Sequence, residues 1–224
     1  MPTPPAPRVR LHQPALDPAL FRRLLRGVRA VGKERLAKTY QTTFWFDFRR
    51  QEPRSVAEEA ALALAGHLPD LSRVRGVEWW LSRMYATDVR VDFHRDRDER
   101  LALAGGPQRH PRYSSVLFLN RVRGGALAVT DADPNEDNPS LAPDTDDLDL
   151  VAPRPNRFVH FGGRLTHGVL DADNAIPDRK RPGPARLRLT VIFNWWDRRP
   201  FDLPTFEEAG VYRALAARPR KGRE

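Results

Sequence analysis

The sequence contains no cysteine among its 224 residues. This absence excludes disulfide bonds, thiolate zinc sites and cysteine nucleophiles. It also lacks any run of 18 apolar residues, so no membrane span is predicted. The first ten residues, MPTPPAPRVR, lack the apolar segment of a signal peptide and are predicted to belong to a flexible, Pro-rich arm. We therefore expect a cytoplasmic protein with no membrane partner.

The length allows one well-cored domain, which we place at residues 17–212, between an arm at 1–16 and a basic tail at 213–224. The formal net charge of +9 lies mostly in the ends, because the arm contributes +2 and the tail +4. This distribution is typical of solubilising tails. A nucleic-acid partner stays open as an alternative, although neither end interleaves the aromatic residues that stack on bases.

Helical patterns dominate the first third of the sequence. Asp17 and Pro18 form an N-cap and first-turn pair, and apolar residues at helical spacing then predict a helix over 18–38. Ser55 and Glu58 form a capping box, which predicts a second helix over 55–65. Between the two helices, residues 43–48 (TFWFDF) are predicted to be a short strand or turn.

After about residue 76 the pattern changes to short strands separated by Gly, Pro and Asp. Seven strands are predicted, at 77–85, 88–94, 114–120, 126–130, 157–161, 167–170 and 186–196. Short strands without intervening helices favour two packed antiparallel sheets over a parallel sheet. The predicted fold is mainly β, a sandwich or jelly roll with a core at about 77–196 and the N-terminal helices outside it.

An acidic insert, residues 131–149, separates two of the predicted strands. It carries eight acidic residues, three prolines and no basic residue, which predicts a solvated loop. A calcium site is the alternative, because carboxylate oxygens are abundant. The insert lacks the spacing and the glycine of an EF-hand loop.

His94 and Asp96 are the first candidates for chemistry. Residues two apart on a strand point to the same side, so this imidazole and this carboxylate can reach one metal ion. With a second imidazole they would form the facial triad that binds non-haem iron(II). His167 is the expected third ligand and His160 its rival. The other three histidines, His12, His67 and His110, are expected to be solvated.

The last predicted strand, in RLRLTVIFNWW, places Arg186, Arg188 and Thr190 on one side and leucine and valine on the other. An arginine that points into a core requires an anion. A carboxylate paired with both arms of the guanidinium satisfies this requirement, and a structural ion pair is the alternative.

The order of these motifs resembles the iron(II)/2-oxoglutarate oxygenases, and in particular their prolyl 4-hydroxylase-like branch. Met84-Tyr85 precedes the H-x-D motif, as a Tyr-bearing strand does in that branch. YSSVLFLN (113–120) leads into Gly-Gly-Ala-Leu at 124–127. PRPNRFVHF (153–161) then precedes His-Gly-Val at 167–169. The resemblance covers about 79–196, or half of the chain.

The resemblance implies a double-stranded β-helix with iron(II) held by His94, Asp96 and His167. It further implies 2-oxoglutarate and O2 as cosubstrates, with ascorbate as an optional reductant. The far carboxylate of 2-oxoglutarate would be bound by Arg186 or by Arg188. Tyr85 and Thr190 are further candidates for the same pocket.

The implied reaction is hydroxylation of a side chain, free or in a peptide, or of a small metabolite, with release of succinate and CO2. Because an aspartate, not a small residue, stands at position 96, hydroxylation or oxidative demethylation is favoured over halogenation. Two alternatives stay open. One is a nucleic-acid oxidative demethylase of the same fold, and the other is a ligand-binding jelly roll without metal or catalysis.

Overall fold

The structure of the protein, a computed structural model, describes residues 7–32, 42–85, 92–135, 143, 147–170 and 187–217. Its strands, in chain order, are β1 (Val9–His12), β2 (Phe44–Phe46), β3 (Gly76–Tyr85), β4 (Tyr113–Phe118), β5 (Leu127–Thr130), β6 (Asp149–Val151), β7 (Arg157–Gly162), β8 (Thr166–Val169) and β9 (Leu187–Trp196). Its helices are α1 (Pro18–Val31), α2 (Val56–Ala65), α3 (Glu99–Leu103) and α4 (Phe206–Ala209), followed by a 3-10 turn at Arg213–Leu215. No helix in this part of the chain is long and apolar enough to cross a membrane.

The strands form two antiparallel sheets. The large sheet has the order β1-β7-β4-β9-β3-β2, and the small sheet has the order β6-β5-β8. Next to β8, His94 pairs with His167 through an isolated antiparallel bridge, which extends the small sheet by one residue. From β3 onward the chain crosses repeatedly between the two sheets, which is the winding of a double-stranded β-helix. The predicted mainly β fold with flanking helices is confirmed.

The two faces of the large sheet differ in character because side chains alternate along each strand. On β9, Leu189, Val191 and Phe193 face outward and join the main hydrophobic core. Helices α1 and α2 cover this outer face, with Leu24 and Leu64 fully buried. The inner face, which looks towards the small sheet, carries the polar residues of β9. The alternation predicted for this strand is therefore present.

Both N-terminal helices begin where the capping residues predict. Asp17 accepts hydrogen bonds from the backbone N–H groups of Ala19 and Leu20, and Ser55 with Glu58 forms the complete capping box. Helix α1 ends earlier than predicted, at Val31 instead of residue 38, because Gly32 takes a φ of 80° that ends the helical turn. Residues 33–41 lie outside the described part of the chain.

The ends of the domain differ from the prediction. Val9–His12, within the predicted flexible arm, pairs with β7 as an edge strand. Arg8, just before it, pairs with Asp131, Asp147 and Asp149 of the acidic insert. At the other end, Leu215 lies in the predicted tail but is fully buried in the main core. The domain therefore includes residues that composition alone assigns to the arm and the tail.

Candidate metal centre

The backbone joins His94 to His167 directly. The His94 N–H donates to the His167 carbonyl at 3.0 Å, and the His167 N–H donates to the His94 carbonyl at 2.9 Å. Directly opposed residues on antiparallel strands hold their side chains on the same side of the sheet. The two imidazole rings accordingly lie with their centroids 4.5 Å apart. The pairing brings together two histidines that are far apart in sequence.

Asp96 completes the group from two residues further along. His94 Nε2 lies 3.5 Å from Asp96 Oδ1, and His167 Nε2 lies 3.4 Å from Asp96 Oδ2. One ligand atom from each residue lies within 4.8 Å of the others, and no other such group occurs among the described residues. The structure thus brings together the three residues predicted as ligands, and it leaves His160 out of the group.

Backbone carbonyls orient both imidazoles. His94 Nδ1 donates to the Asp92 carbonyl at 2.8 Å, and His167 Nδ1 donates to the Leu165 carbonyl at 3.1 Å. A carbonyl only accepts, so in each neutral ring the proton is on Nδ1 and the lone pair is on Nε2. Such outer hydrogen bonds fix the ring of a metal-binding histidine. Both Nε2 atoms therefore face Asp96 ready to bind a cation.

The charges of the three residues suit a divalent cation. Burial lowers the pKa of His167 to about 4, so this imidazole is neutral. Burial opposes ionisation of Asp96, but His167, His94 and the Ser114 hydroxyl outweigh it and hold the pKa of Asp96 well below its usual range. Burial lowers the pKa of His94, but the hydrogen bond and charge of Asp96 raise it, and the net direction is upward. A carboxylate with two imidazoles is the donor set that non-haem iron(II) uses.

Two residues that the sequence analysis missed hold Asp96 in place. Ser114 Oγ donates to Asp96 Oδ2 at 2.6 Å from the start of β4. His110 Nδ1 donates to the Asp96 backbone carbonyl at 2.7 Å. His110 is thus half-buried beside the site, where the sequence predicted a solvated side chain. Ser114 had a usable signal, because it is the polar residue among inward positions of β4 that are otherwise Val116 and Phe118.

A cavity of about 100 Å³ adjoins the three residues, between the two sheets. Its walls combine hydroxyl groups with apolar side chains, and a buried guanidinium reaches it from β9. The lining includes Trp80, Ser82, Ser115, Phe161, Arg188 and Ile192. The metal-binding group therefore adjoins a partly open pocket, with the His167 side chain 10% exposed and the His94 side chain 43% exposed.

Arg188 is the cationic group of this cavity, and it is only 3% exposed. Its Nε donates to the Gly125 carbonyl at 2.9 Å, and its Nη1 lies 3.5 Å from Thr190 Oγ1. The guanidinium carbon lies 5.1 Å from the centre of the Phe118 ring. These contacts fix the guanidinium plane, and Thr190 is fully buried beside it on the same face.

The second glycine of the Gly-Gly motif, Gly125, is required by its backbone conformation and by its contact with Arg188. Its φ of 67° is in the left-handed region, and a Cβ there would lie 3.0 Å from Arg188 Cδ. A side chain would therefore strain the turn and displace Arg188. Of the other predicted cosubstrate residues, Arg186 lies outside the described residues, and Tyr85 ends β3 with its side chain outside them as well.

The remaining histidines form a second group on the outer face of the large sheet. His12 Nε2 lies 3.3 Å from His160 Nε2, and the His12 ring stacks on His67 at 4.3 Å. His160, the rival ligand, is 2% exposed and belongs to this second group. His12 and His67 are half-buried, not solvated as predicted. Hydrophobic periodicity gave no sign of this group, since its members come from β1, β7 and the residues after α2.

Comparisons with known proteins give structural likenesses only. A scan against protein-family models and a search of curated proteins both found no match. Among solved structures, a prolyl-4-hydroxylase from Pseudomonas putida is 18% identical, covers 86% of this chain and 89% of its own, and has a TM-score of 0.47. A 2OG-Fe(II) oxygenase family protein from Burkholderia pseudomallei is 14% identical over 88% of each chain, with a TM-score of 0.47.

A prolyl 4-hydroxylase from Phytophthora capsici is 15% identical, covers 89% of this chain and 61% of its own, and has a TM-score of 0.48. These proteins bear the names of the family whose motif order the sequence resembles. At these identities the function of the chain has to be argued from the residues of its own site.

Proposed function

We propose that the protein is an iron(II)- and 2-oxoglutarate-dependent dioxygenase. It would hydroxylate an amino-acid side chain, free or in a peptide, or a small metabolite, and release succinate and CO2. One observation carries the proposal: His94, Asp96 and His167 converge beside a cavity that is also lined by a buried arginine. A metal-binding group and an anion-binding group in one cavity match the two ends of 2-oxoglutarate.

The donor set fits iron(II) better than a structural zinc ion. Structural zinc sites are closed by four protein ligands, whereas this group offers three. Three ligands on one side of an octahedral ion leave three positions for other molecules. The neutral His167 and the ionised Asp96 leave a bound divalent ion with a net positive charge, which favours an anionic cosubstrate.

Arg188 is our assignment for the far carboxylate of 2-oxoglutarate. Resemblance alone points first to Arg186, two positions earlier. Arg188 is supported by its place in the cavity lining and by the contacts with Gly125 and Thr190 that orient its guanidinium. A guanidinium can pair with both oxygens of a carboxylate.

The chain's own residues would prepare the reaction by placement and by exclusion of water. When bound, iron(II) with 2-oxoglutarate and O2 supplies the oxidising power for inserting oxygen into a C–H bond. Asp96 stays ionised, and Ser114 and the backbone carbonyls hold the ligand atoms in place. The apolar walls, including Trp80 and Ile192, keep the cavity poor in water and strengthen the electrostatic contacts within it.

A thermal melt tests the proposal most directly. Manganese(II) and 2-oxoglutarate together should raise the Tm by mass action, and 2-oxoglutarate without metal should raise it much less. Iron(II) should then support succinate release from 2-oxoglutarate in air. A protein whose Tm responds to neither addition, and which releases no succinate, would be the non-catalytic ligand-binding jelly roll.

One argument for the nucleic-acid alternative is the positive charge of the N-terminal arm, and an ion pair reduces it. Arg8, one of the two arginines of the N-terminal arm, pairs with Asp147 and Asp149, so its charge is compensated within the chain. The arm therefore presents less uncompensated positive charge to a phosphate backbone than its two arginines suggest. We therefore favour a small-molecule or peptide substrate.

A further inference from the structure

A polar row crosses the inner face of the large sheet at its metal-binding end. Glu78 on β3 lies opposite Asn194 on β9, and Asn194 lies opposite Ser114 on β4. The row is next to Trp80 and Ile192, which line the cavity. Ser114 donates to Asp96, so the row begins at the metal-binding group and ends at Glu78. Two strand spacings, about 10 Å, separate its ends.

Asn194 has an unsatisfied acceptor in this row. The residue is 2% exposed, and its Oδ1 accepts no hydrogen bond from the described residues. Two donors of the neighbouring residues are engaged elsewhere, because Ser114 donates to Asp96 and Trp196 Nε1 donates to Glu78 Oε2 at 3.0 Å. Since a buried acceptor without a donor is destabilising, this atom is available to a hydrogen-bond donor of a bound molecule.

Glu78 accepts a hydrogen bond from Trp196 and forms no ion pair with a described residue. Burial raises the pKa of Glu78, and the charges of Asp96 and Asp98 raise it further, to about 8. The arginines of the surrounding segments are each engaged by another carboxylate, in the pairs Arg75–Asp47, Arg95–Asp133, Arg97–Glu99 and Arg112–Asp70. Without a cation beside it the Glu78 carboxyl group is therefore mostly protonated, and a cation that binds there would lower its pKa and form an ion pair with it.

We propose that Glu78 and Asn194 bind the polar end of the oxidised substrate, and that this end is a primary amine or a guanidine. The inference rests on the proposed function and adds the substrate class to it. Such a group carries several N–H donors, enough for Asn194 Oδ1 and for the Glu78 carboxyl together. A neutral hydroxyl could satisfy Asn194 but could not form an ion pair with Glu78.

Binding measured without turnover tests the substrate class. Protein loaded with manganese(II) and 2-oxoglutarate is titrated by calorimetry with lysine and arginine, and with their neutral counterparts norleucine and citrulline. Short end-blocked peptides that contain each of the four side chains form a second arm, which distinguishes a free amino acid from a peptide as the source. At least one cation should bind 10-fold or more tightly than its neutral counterpart. Equal binding of both members in each pair, in both arms, overturns the inference.

The Glu78→Gln variant then assigns the preference to this row. Glutamine keeps an acceptor for Trp196, so the variant should fold, and the preference for the cation should fall to about 2-fold or less. Glu99→Gln is the matched control, because Glu99 is an exposed carboxylate near the same site and should leave the preference unchanged. If Glu78→Gln does not fold, Asn194→Ala replaces it and should weaken binding of the cation more than binding of its neutral counterpart.

The outcomes separate this inference from the proposed function. Stabilisation by manganese(II) and 2-oxoglutarate tests the metal and cosubstrate site, and it should be the same in the wild type and in Glu78→Gln. If the wild type shows that stabilisation but the Glu78→Gln variant retains the full preference for the cation, only the inference fails. If the wild type shows no stabilisation at all, the proposed function fails first.

Discussion

The spaces on the two sides of the large sheet both contain buried histidines, yet they differ in the groups that surround those histidines. The inner space, between the two sheets, contains Asp96, Arg188 and the hydroxyl of Ser114. The outer space, under helices α1 and α2, is filled by aliphatic and aromatic side chains. Its histidines contact one another and have Arg10, not a carboxylate, as a charged neighbour. A histidine becomes a candidate metal ligand here only where a carboxylate shares its space.

The comparison predicts that changes in the inner space affect function and changes in the outer space affect stability. The polar residues of the inner space are oriented by hydrogen bonds and contribute little apolar packing. The outer residues stabilise the fold through apolar surface removed from water. Four substitutions or conditions, in order of expected effect, test this division.

The largest effect is expected for Asp96→Ala. The change removes the only carboxylate of the metal-binding group, so metal binding and succinate release should both be abolished. His94→Ala and His167→Ala should have the same result. Calorimetric titration with manganese(II) and a succinate assay measure the two effects. His160→Ala is the control from the outer space, and metal binding lost there but kept in His167→Ala would reverse the assignment.

Leu64→Ala should have the largest effect on stability. Leu64 is fully buried between α2 and the large sheet, and truncation of such a leucine costs about 2–5 kcal/mol. Denaturant unfolding measures the loss. The affinity for manganese(II) should stay unchanged under conditions where the variant is folded. A weakened metal site in folded Leu64→Ala would contradict the division between the two spaces.

Arg188→Met tests the cosubstrate end of the inner space. Methionine keeps much of the volume but removes the donors, so the apparent affinity for 2-oxoglutarate should fall about 10- to 1000-fold, the range expected for a charged hydrogen bond lost in a buried site. Metal binding should survive, since no ligand is altered. Arg186→Met is the matched variant. If it shows the large effect and Arg188→Met shows none, the resemblance-based assignment to Arg186 is right.

A smaller effect, on the stability of the fold, is expected when the pH is lowered and the outer histidines take up protons. Burial lowers the pKa of His160 to about 4, and the charges of His12 and Arg10 contribute to the decrease. Burial lowers the pKa of His12 as well. The unfolded chain takes up these protons near pH 6.5, before the folded chain does. Stability is therefore fully present above pH 6.5 and is lost as pH falls from there towards 4.

The Tm measured across this range gives the readout. His167 also resists protonation when no metal is bound, so the metal-free wild type alone does not isolate the outer group. The double variant His12→Gln/His160→Gln isolates the outer group, because its Tm should fall less than that of the wild type between pH 6.5 and 4. Parallel pH profiles for the two proteins would argue against a role for the outer histidines in acid sensitivity.

Local patterns predicted much of the fold because the relevant forces are local. The capping box at Ser55 and the alternation of β9 depend on neighbours within a few residues, and both are present. The strand at Val9–His12 was missed because its stability comes from pairing with β7, nearly 150 residues away. The buried Leu215 was missed for the same reason, since its packing partners lie on α1, near Gly27.

The sequence by itself determined the elements that depend on spacing: the two helix starts, the antiparallel β region and the pair His94 and Asp96. Only the tertiary structure decided which distant residues join them. The bridge between His94 and His167 chose one histidine over His160, and the turn at Gly125 placed Arg188 in the cavity. The physical reason is that a strand fixes the side on which a residue lies, whereas the residue it meets there depends on how the sheets are paired and stacked.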